Sequence, residues 1–129
     1  MRIIGLGTDI VEMARLKAAF GQFGNRFRER VYTPAELALG SRKSEHLAYY
    51  AGRWAAKEAA SKALGCGICE TCAFTDIEIL NDNHGRPVLK FSGSAAALAS
   101  SLGVSEISIS ISHEQRYAVA TVILSGMDH

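Results

Sequence analysis

The sequence is short of most residues that mark unusual protein classes. Only two prolines and one tryptophan occur in 129 residues, which excludes a Pro-rich or collagen-like chain. No apolar run approaches the ~18 residues that a membrane span requires, so no membrane partner is expected. The opening Met1-Arg2-Ile3-Ile4-Gly5-Leu6-Gly7 lacks an h-region and a small-residue cleavage site, so it reads as a strand and not a signal peptide. A cytoplasmic location is the expectation. Charge of one sign is also lacking, with a net charge of +1, so the total says little about partners. The cysteines are few and odd in number: Cys66, Cys69 and Cys72. An odd set argues against a disulfide framework. Their Cys-x-x-Cys-x-x-Cys spacing matches part of an iron–sulfur ligand run, but a fourth thiolate is missing. The plainer reading is a thiol-rich surface loop open to oxidation.

What the chain does have is apolar content, 48% of its residues. That suffices for one packed domain over residues 1–129. Ile3 to Val11 reads as a strand interrupted only by Thr8 and Asp9. Glu12 to Phe20 has helical spacing at Met13, Leu16 and Phe20, broken by Gly21 and Gly24. Asn25 can cap a second short helix, Arg26 to Tyr32. Thr33-Pro34-Ala35-Glu36 predicts a capping box with proline in the first turn, closed by Gly40. The longest helix is expected from Ser44 to Leu64, stopped by Gly65. Its broad apolar face comprises Leu47, Tyr50, Ala51, Trp54, Ala55, Ala59 and Leu64. Phe74–Leu80 and Pro87–Phe91 predict a hairpin around Asn81-Asp82-Asn83-His84-Gly85. Ser94 to Leu102 reads as a short helix. Ile107, Ile109 and Ile111 alternate with serines, predicting a half-buried strand, and Tyr117 to Leu124 a final one. The expected class is α+β: a mixed or antiparallel sheet of about five strands against one long and several short helices. His129 reads as an unstructured end with no role.

Two acids stand apart from their surroundings. Asp9 lies in an apolar strand, and Glu58 in an alanine-rich helix. Burying a lone carboxylate is costly, so Asp9 needs a partner or a metal. Mg²⁺ takes one or two carboxylates and completes its shell with water and phosphate oxygens. Asp9 with Glu58 fits that pattern if strand and helix pack together. Glu58 and Lys62 share one helix face, as do Lys57 and Ser61. The residues alone leave plainer readings open: a surface ion pair with Lys57 on the solvated side, and a strand-end carboxylate at Asp9 bonded to backbone N–H groups. Between Glu12 and Arg30, five cations (Arg15, Lys17, Arg26, Arg28, Arg30) outnumber two acids (Glu12, Glu29). That stretch either steers an acidic partner or forms an ordinary solvated face.

Several segments together carry a resemblance. Ile4-Gly5-Leu6-Gly7-Thr8-Asp9-Ile10 and Arg53-Trp54-Ala55-Ala56-Lys57-Glu58-Ala59-Ala60-Ser61-Lys62-Ala63-Leu64-Gly65 resemble the holo-[acyl-carrier-protein] synthases, small bacterial 4′-phosphopantetheinyl transferases. Arg30 to Leu37, Phe74 to Ile79, His84-Gly85-Arg86-Pro87 and Tyr117-Ala118-Val119-Ala120 continue the likeness over almost the whole chain. Gly-x-x-Asp is weak alone; paired with Lys-Glu-Ala-x-x-Lys at this separation it is highly specific.

The resemblance implies Asp9 and Glu58 as Mg²⁺ ligands and Lys62 as the lysine meeting the phosphates of coenzyme A. It implies Arg53, Lys57, Ser61 and Gly65 along a cofactor groove, and His84, Gly85, Arg86 and Pro87 near the adenosine. His113 matches a position where many relatives, though not all, carry a histidine near the diphosphate. Met13, Arg15, Arg26 and Arg30 would meet the acidic helix of a carrier protein. It further implies a homotrimer with shared active sites, and a part in fatty acid biosynthesis. Cys69 and Cys72 depart from the family pattern, and Cys66 stands where threonine is frequent.

The implied reaction is attack of a carrier serine on the β-phosphorus of coenzyme A, with the metal and Lys62 neutralising the leaving 3′,5′-ADP. Glu58, Asp9, His113 or a water on the metal can take the proton. Two rivals remain at this level: an RNA-binding module and a Mg²⁺-dependent nucleotide hydrolase. The first lacks a long basic tract and has a thin aromatic platform, which weighs against a nucleic-acid partner.

Overall fold

The order of elements follows directly from the alternation of apolar patterns along the chain. A computed structural model describes residues 1–128; His129, expected to be an end without a role, lies outside the described residues. The elements are β1 (Arg2–Glu12), α1 (Met13–Phe23), α2 (Asn25–Val31), α3 (Pro34–Gly40), α4 (His46–Leu64), β2 (Ile77–Asn81), β3 (Pro87–Phe91), α5 (Gly93–Ser101), β4 (Glu106–His113) and β5 (Tyr117–Gly126). Five strands are present as expected, but they form two antiparallel sheets, β1-β5-β4 and β2-β3. The hairpin stands apart because its buried residues, Ile77, Ile79 and Leu89, face the helical layer.

Local details differ from expectation in small ways. Phe74 to Asp76 forms a 3-10 turn before β2, so the strand begins three residues late. α1 runs through Gly21, and the chain turns instead at Gly24, whose φ of 58° suits glycine. Asn25 is the first residue of α2 and not its cap. The capping box at Thr33 is present, with Glu36 N–H donating to Thr33 Oγ1 at 3.2 Å and Thr33 N–H to Glu36 Oε1 at 2.8 Å.

The core lies where α4 crosses the β1-β5-β4 sheet. Ala51, Ala55, Ala59 and Ala63 recur every four residues, and each is buried. Opposite them stand Gly5 and Gly7. A Cβ at Gly7 would lie 1.8 Å from the Ala59 carbonyl oxygen, and one at Gly5 would lie 1.9 Å from that of Ala63. Small residues on both sides let the two backbones touch. This contact fixes how far the side chains of β1 reach toward α4.

A second hub is charged. Lys57 and Glu36 are both fully buried and paired at 2.8 Å. Lys57 Nζ also donates to the carbonyl of Phe74, at 2.9 Å, and to that of Ile77. The second Glu36 oxygen accepts from Ile79 N–H at 2.8 Å. The pair therefore ties α3, α4 and the start of the hairpin together, with all three ammonium protons used. Burial holds the Lys57 ammonium below the ordinary lysine value, and Glu36 opposes that shift. Breaking a buried pair by removing one partner leaves an uncompensated charge, which costs about 3–5 kcal/mol. Lys57→Met should lower stability by about that amount in urea unfolding, and adding Glu36→Leu should restore much of the loss.

Candidate active site

β1 presents alternate side chains to α4, and Asp9 follows Gly5 and Gly7 on that side. Because glycine admits the helix so closely, Asp9 meets the last two turns of α4. Lys62 Nζ donates to Asp9 Oδ1 at 2.9 Å and to the Thr8 carbonyl at 3.1 Å. Glu58 lies one turn back on the same face of α4. Burial raises the Glu58 carboxyl above its ordinary value, the Asp9 charge raises it further, and Lys62 works the other way. Asp9, Glu58 and Lys62 line one cleft of about 310 Å³, together with Glu12, Arg15 and Trp54.

Two neighbouring carboxylates, one made reluctant to ionise by burial and then by the other's charge, form a site that favours a cation. In the structure an ammonium supplies it. Among the described residues no cluster of three or more His, Cys, Asp or Glu groups is arranged to hold a metal. The pair of acids nevertheless suits Mg²⁺, a hard ion that needs only one or two carboxylates when phosphate oxygens complete its shell.

A second cleft, of about 360 Å³, lies on another side of α4. Arg53, Gly85, Pro87 and His113 line it, with Lys43, Ser44, Tyr49 and Asn81 among its other residues. Arg53 is 8% exposed. Its guanidinium stacks 4.3 Å from the Tyr49 ring centroid and donates to Asn81 Oδ1, while its buried Nε has no partner. His113 ends β4 and is exposed. The turn beside it is held by Asp82 Oδ1, which accepts from His84 N–H at 2.8 Å and Arg86 N–H at 3.0 Å. His84 and Arg86 are exposed there, and Gly85 has a φ of 81°. Arg53 and Glu58 are five residues apart on α4, about 140° around its axis. That angle is why the two clefts share no lining residue.

Three assignments are corrected by burial. Lys57 belongs to the charged hub and does not line a groove, since its side chain has no exposure. Ser61 is fully buried too, with its hydroxyl donating to the Glu58 carbonyl at 2.7 Å. Met13 is 7% exposed and packs in the core, so it offers no docking surface. Gly65 is exposed at the left-handed cap of α4. Arg15, Arg26 and Arg30 are exposed; Arg15 sits at the carboxylate cleft, while Arg26 and Arg30 border a depression with Phe23, Phe27 and Phe74. Asn81, Lys43 and Tyr49 were missed as lining residues, because nothing in a linear pattern brings the hairpin to α4.

A family model described as the 4′-phosphopantetheinyl transferase superfamily matches residues 5–122. The holo-[acyl-carrier-protein] synthase of Vibrio parahaemolyticus is 48% identical over 126 residues, 98% of this chain and 100% of that protein. The solved structure of the same enzyme from Neisseria meningitidis superposes with a TM-score of 0.91 at 35% identity, covering 96% of this chain and 99% of that one. The enzyme from Helicobacter pylori, in complex with coenzyme A, gives 0.81 at 35% identity over 93% and 99% of the two chains. The fold is therefore that of a 4′-phosphopantetheinyl transferase. Within that superfamily, the chain belongs to the holo-[acyl-carrier-protein] synthases.

The raised Glu58 carboxyl has a consequence for stability. Glu58 holds its proton more tightly folded than unfolded. Its contribution to folding is thus present below the ordinary glutamate range and lost as pH rises through the elevated value. Without divalent ions at neutral pH, Glu58→Gln should raise the thermal midpoint, read by circular dichroism, and flatten the stability profile across that window.

Proposed function

We propose that the chain transfers the 4′-phosphopantetheine group of coenzyme A to a serine of an apo acyl carrier protein. The products are holo carrier protein and adenosine 3′,5′-bisphosphate, and the reaction serves fatty acid biosynthesis in the cytoplasm. One observation carries this reading: in a chain of this family, Asp9, Glu58 and Lys62 converge in one cleft. No described helix is long and apolar enough to cross a membrane.

The chemistry needs an anionic diphosphate held still while a serine oxygen attacks the phosphorus bearing the pantetheine arm. Asp9 and Glu58 would hold Mg²⁺. That ion, when bound, supplies positive charge to the diphosphate oxygens. Lys62 is 51% exposed at its side chain and free to swing from Asp9 to a phosphate. Its ammonium neutralises the charge that develops on the departing bisphosphate. Arg15, Arg26 and Arg30 present positive charge around the carboxylate cleft and the nearby depression, which steers an acidic helix to the site.

Gly85 and Pro87 would receive the adenosine end, with Arg53 along the coenzyme groove and His113 near the diphosphate, yet these four lie in the other cleft. The two halves meet if a neighbouring copy supplies the second. The outer face of β1 and β5 supports such an assembly, since Ile3, Leu6 and Ile10 are 67%, 64% and 63% exposed, with Tyr117 and Val119 beside them. An apolar face of this kind is built to be covered. A homotrimer with shared sites is the arrangement we assign.

Incubation with an apo carrier, coenzyme A and Mg²⁺ should add one phosphopantetheine to the carrier by mass spectrometry. Glu58→Ala should lower that rate by at least about a hundredfold while the fold persists; full activity in that variant would remove the metal assignment. Nucleotide release without carrier modification would point to hydrolysis instead. Leu6→Glu should dissociate the assembly in sedimentation and lose activity with it; an active monomer would refute shared sites.

A further inference from the structure

The loop after α4 carries all three cysteines of the chain, and the transfer reaction uses none of them. Its shape is specific. Cys69 N–H donates to the Cys72 carbonyl at 3.1 Å, and Cys72 N–H returns a bond to the Cys69 carbonyl at 3.0 Å. The two residues form an isolated antiparallel bridge around a two-residue turn, Glu70-Thr71. Residues paired in this way place their side chains on one face, with Cα atoms about 5.5 Å apart. A disulfide spans about 4.4–6.8 Å between Cα atoms. The Cα separation typical of such a pair falls inside that range, so a disulfide is within reach of a small adjustment of the turn.

The two thiols are unequal. Cys69 is exposed and Cys72 is fully buried. The neighbouring Thr71 backbone N–H holds the exposed Cys69 thiol below its ordinary value. Burial pushes Cys72 up to about 12. Cys66, partly buried, is close enough to shift the titration of both. Its own thiol points to the Ser61 carbonyl at 3.7 Å, in the last turn of α4. An accessible, more acidic thiol beside a sheltered partner is the arrangement of a reactive dithiol. The three sulfurs do not form a metal-holding group among the described residues.

We propose that this loop is a site of thiol oxidation, at which Cys69 reacts with a small-molecule disulfide and then closes onto Cys72. The Cys69 thiolate attacks one sulfur of the disulfide, whose S–S bond breaks and releases a thiolate. Cys72 then gives its proton to that thiolate or to solvent and attacks the Cys69 sulfur. The second small thiolate leaves. Two protein thiols are oxidised and one small disulfide is reduced to two thiols. The bond clamps the loop directly behind the helix that carries Glu58 and Lys62.

The full-length native chain, treated with oxidised glutathione, alkylated and peptide-mapped by mass spectrometry, tests this. A Cys69–Cys72 disulfide, reversed by dithiothreitol, is the expected product. Cys72→Ala should stop at a glutathionyl adduct on Cys69, Cys69→Ser should slow oxidation at least about tenfold, and Cys66→Ser should still form the bond. Since Cys72 is buried, the order of alkylation in the unsubstituted reduced chain provides a second reading, with Cys69 first. First labelling at Cys66 or Cys72, a Cys66–Cys69 bond, or oxidation no faster than in urea would overturn the proposal. So would stoichiometric Zn²⁺ retained by the reduced chain and blocking oxidation.

Discussion

Everything at the candidate active site depends on the contact between β1 and α4. Gly5 and Gly7 meet the carbonyls of Ala63 and Ala59 at distances that leave no space for a Cβ. An ordinary strand–helix packing would hold the two elements farther apart by a side-chain layer. Here the layer is missing, and Asp9, two residues beyond Gly7, lies within reach of Lys62 on the helix. Glycine costs conformational entropy in a strand. The return is a carboxylate pair formed by two rigid elements, which holds its geometry better than loops could.

The buried Glu36–Lys57 pair plays a supporting part of a different kind. Buried ion pairs are weak sources of stability compared with apolar packing. Besides each other, this pair's two side chains engage the backbone of Thr33 before α3 and of Phe74, Ile77 and Ile79 at the hairpin. It orients the β2-β3 hairpin against α4, and that hairpin carries the turn at His84 to Pro87 that flanks the second cleft. The helix thus works on three fronts: its alanine face meets β1, Lys57 meets α3 and the hairpin, and its outer faces carry Arg53 on one side and Glu58 with Lys62 on another.

That division puts two separate clefts on different sides of one helix. A helix cannot turn residues five apart toward one pocket without bending, and α4 runs unbroken from His46 to Leu64. The exposed apolar face of β1 and β5 fits the proposed assembly, in which a neighbour completes each cleft. The cysteine loop stands outside it. The loop begins at Gly65, where the left-handed cap ends α4 and the backbone N–H groups of Cys66 and Gly67 both bond the Ser61 carbonyl.

The sequence alone settled the order of elements, the capping box at Thr33 and the stop at Gly65, and its motif pair implied, through the family resemblance, that Asp9 and Glu58 meet. These are local patterns or a specific motif pair, and local patterns survive folding because each is satisfied by its own neighbours. Tertiary structure decided the rest. Lys57 and Ser61 share a helix with Glu58 and look equally polar in the sequence, yet both are buried. Met13, which the resemblance put at the docking surface, joins the core. The five strands divide into two sheets, and Asn81 and Tyr49 enter the second cleft. The physical reason is common to these cases: whether a side chain meets water, a partner or a cavity is set by which distant segment packs over it, and sequence spacing does not carry that information.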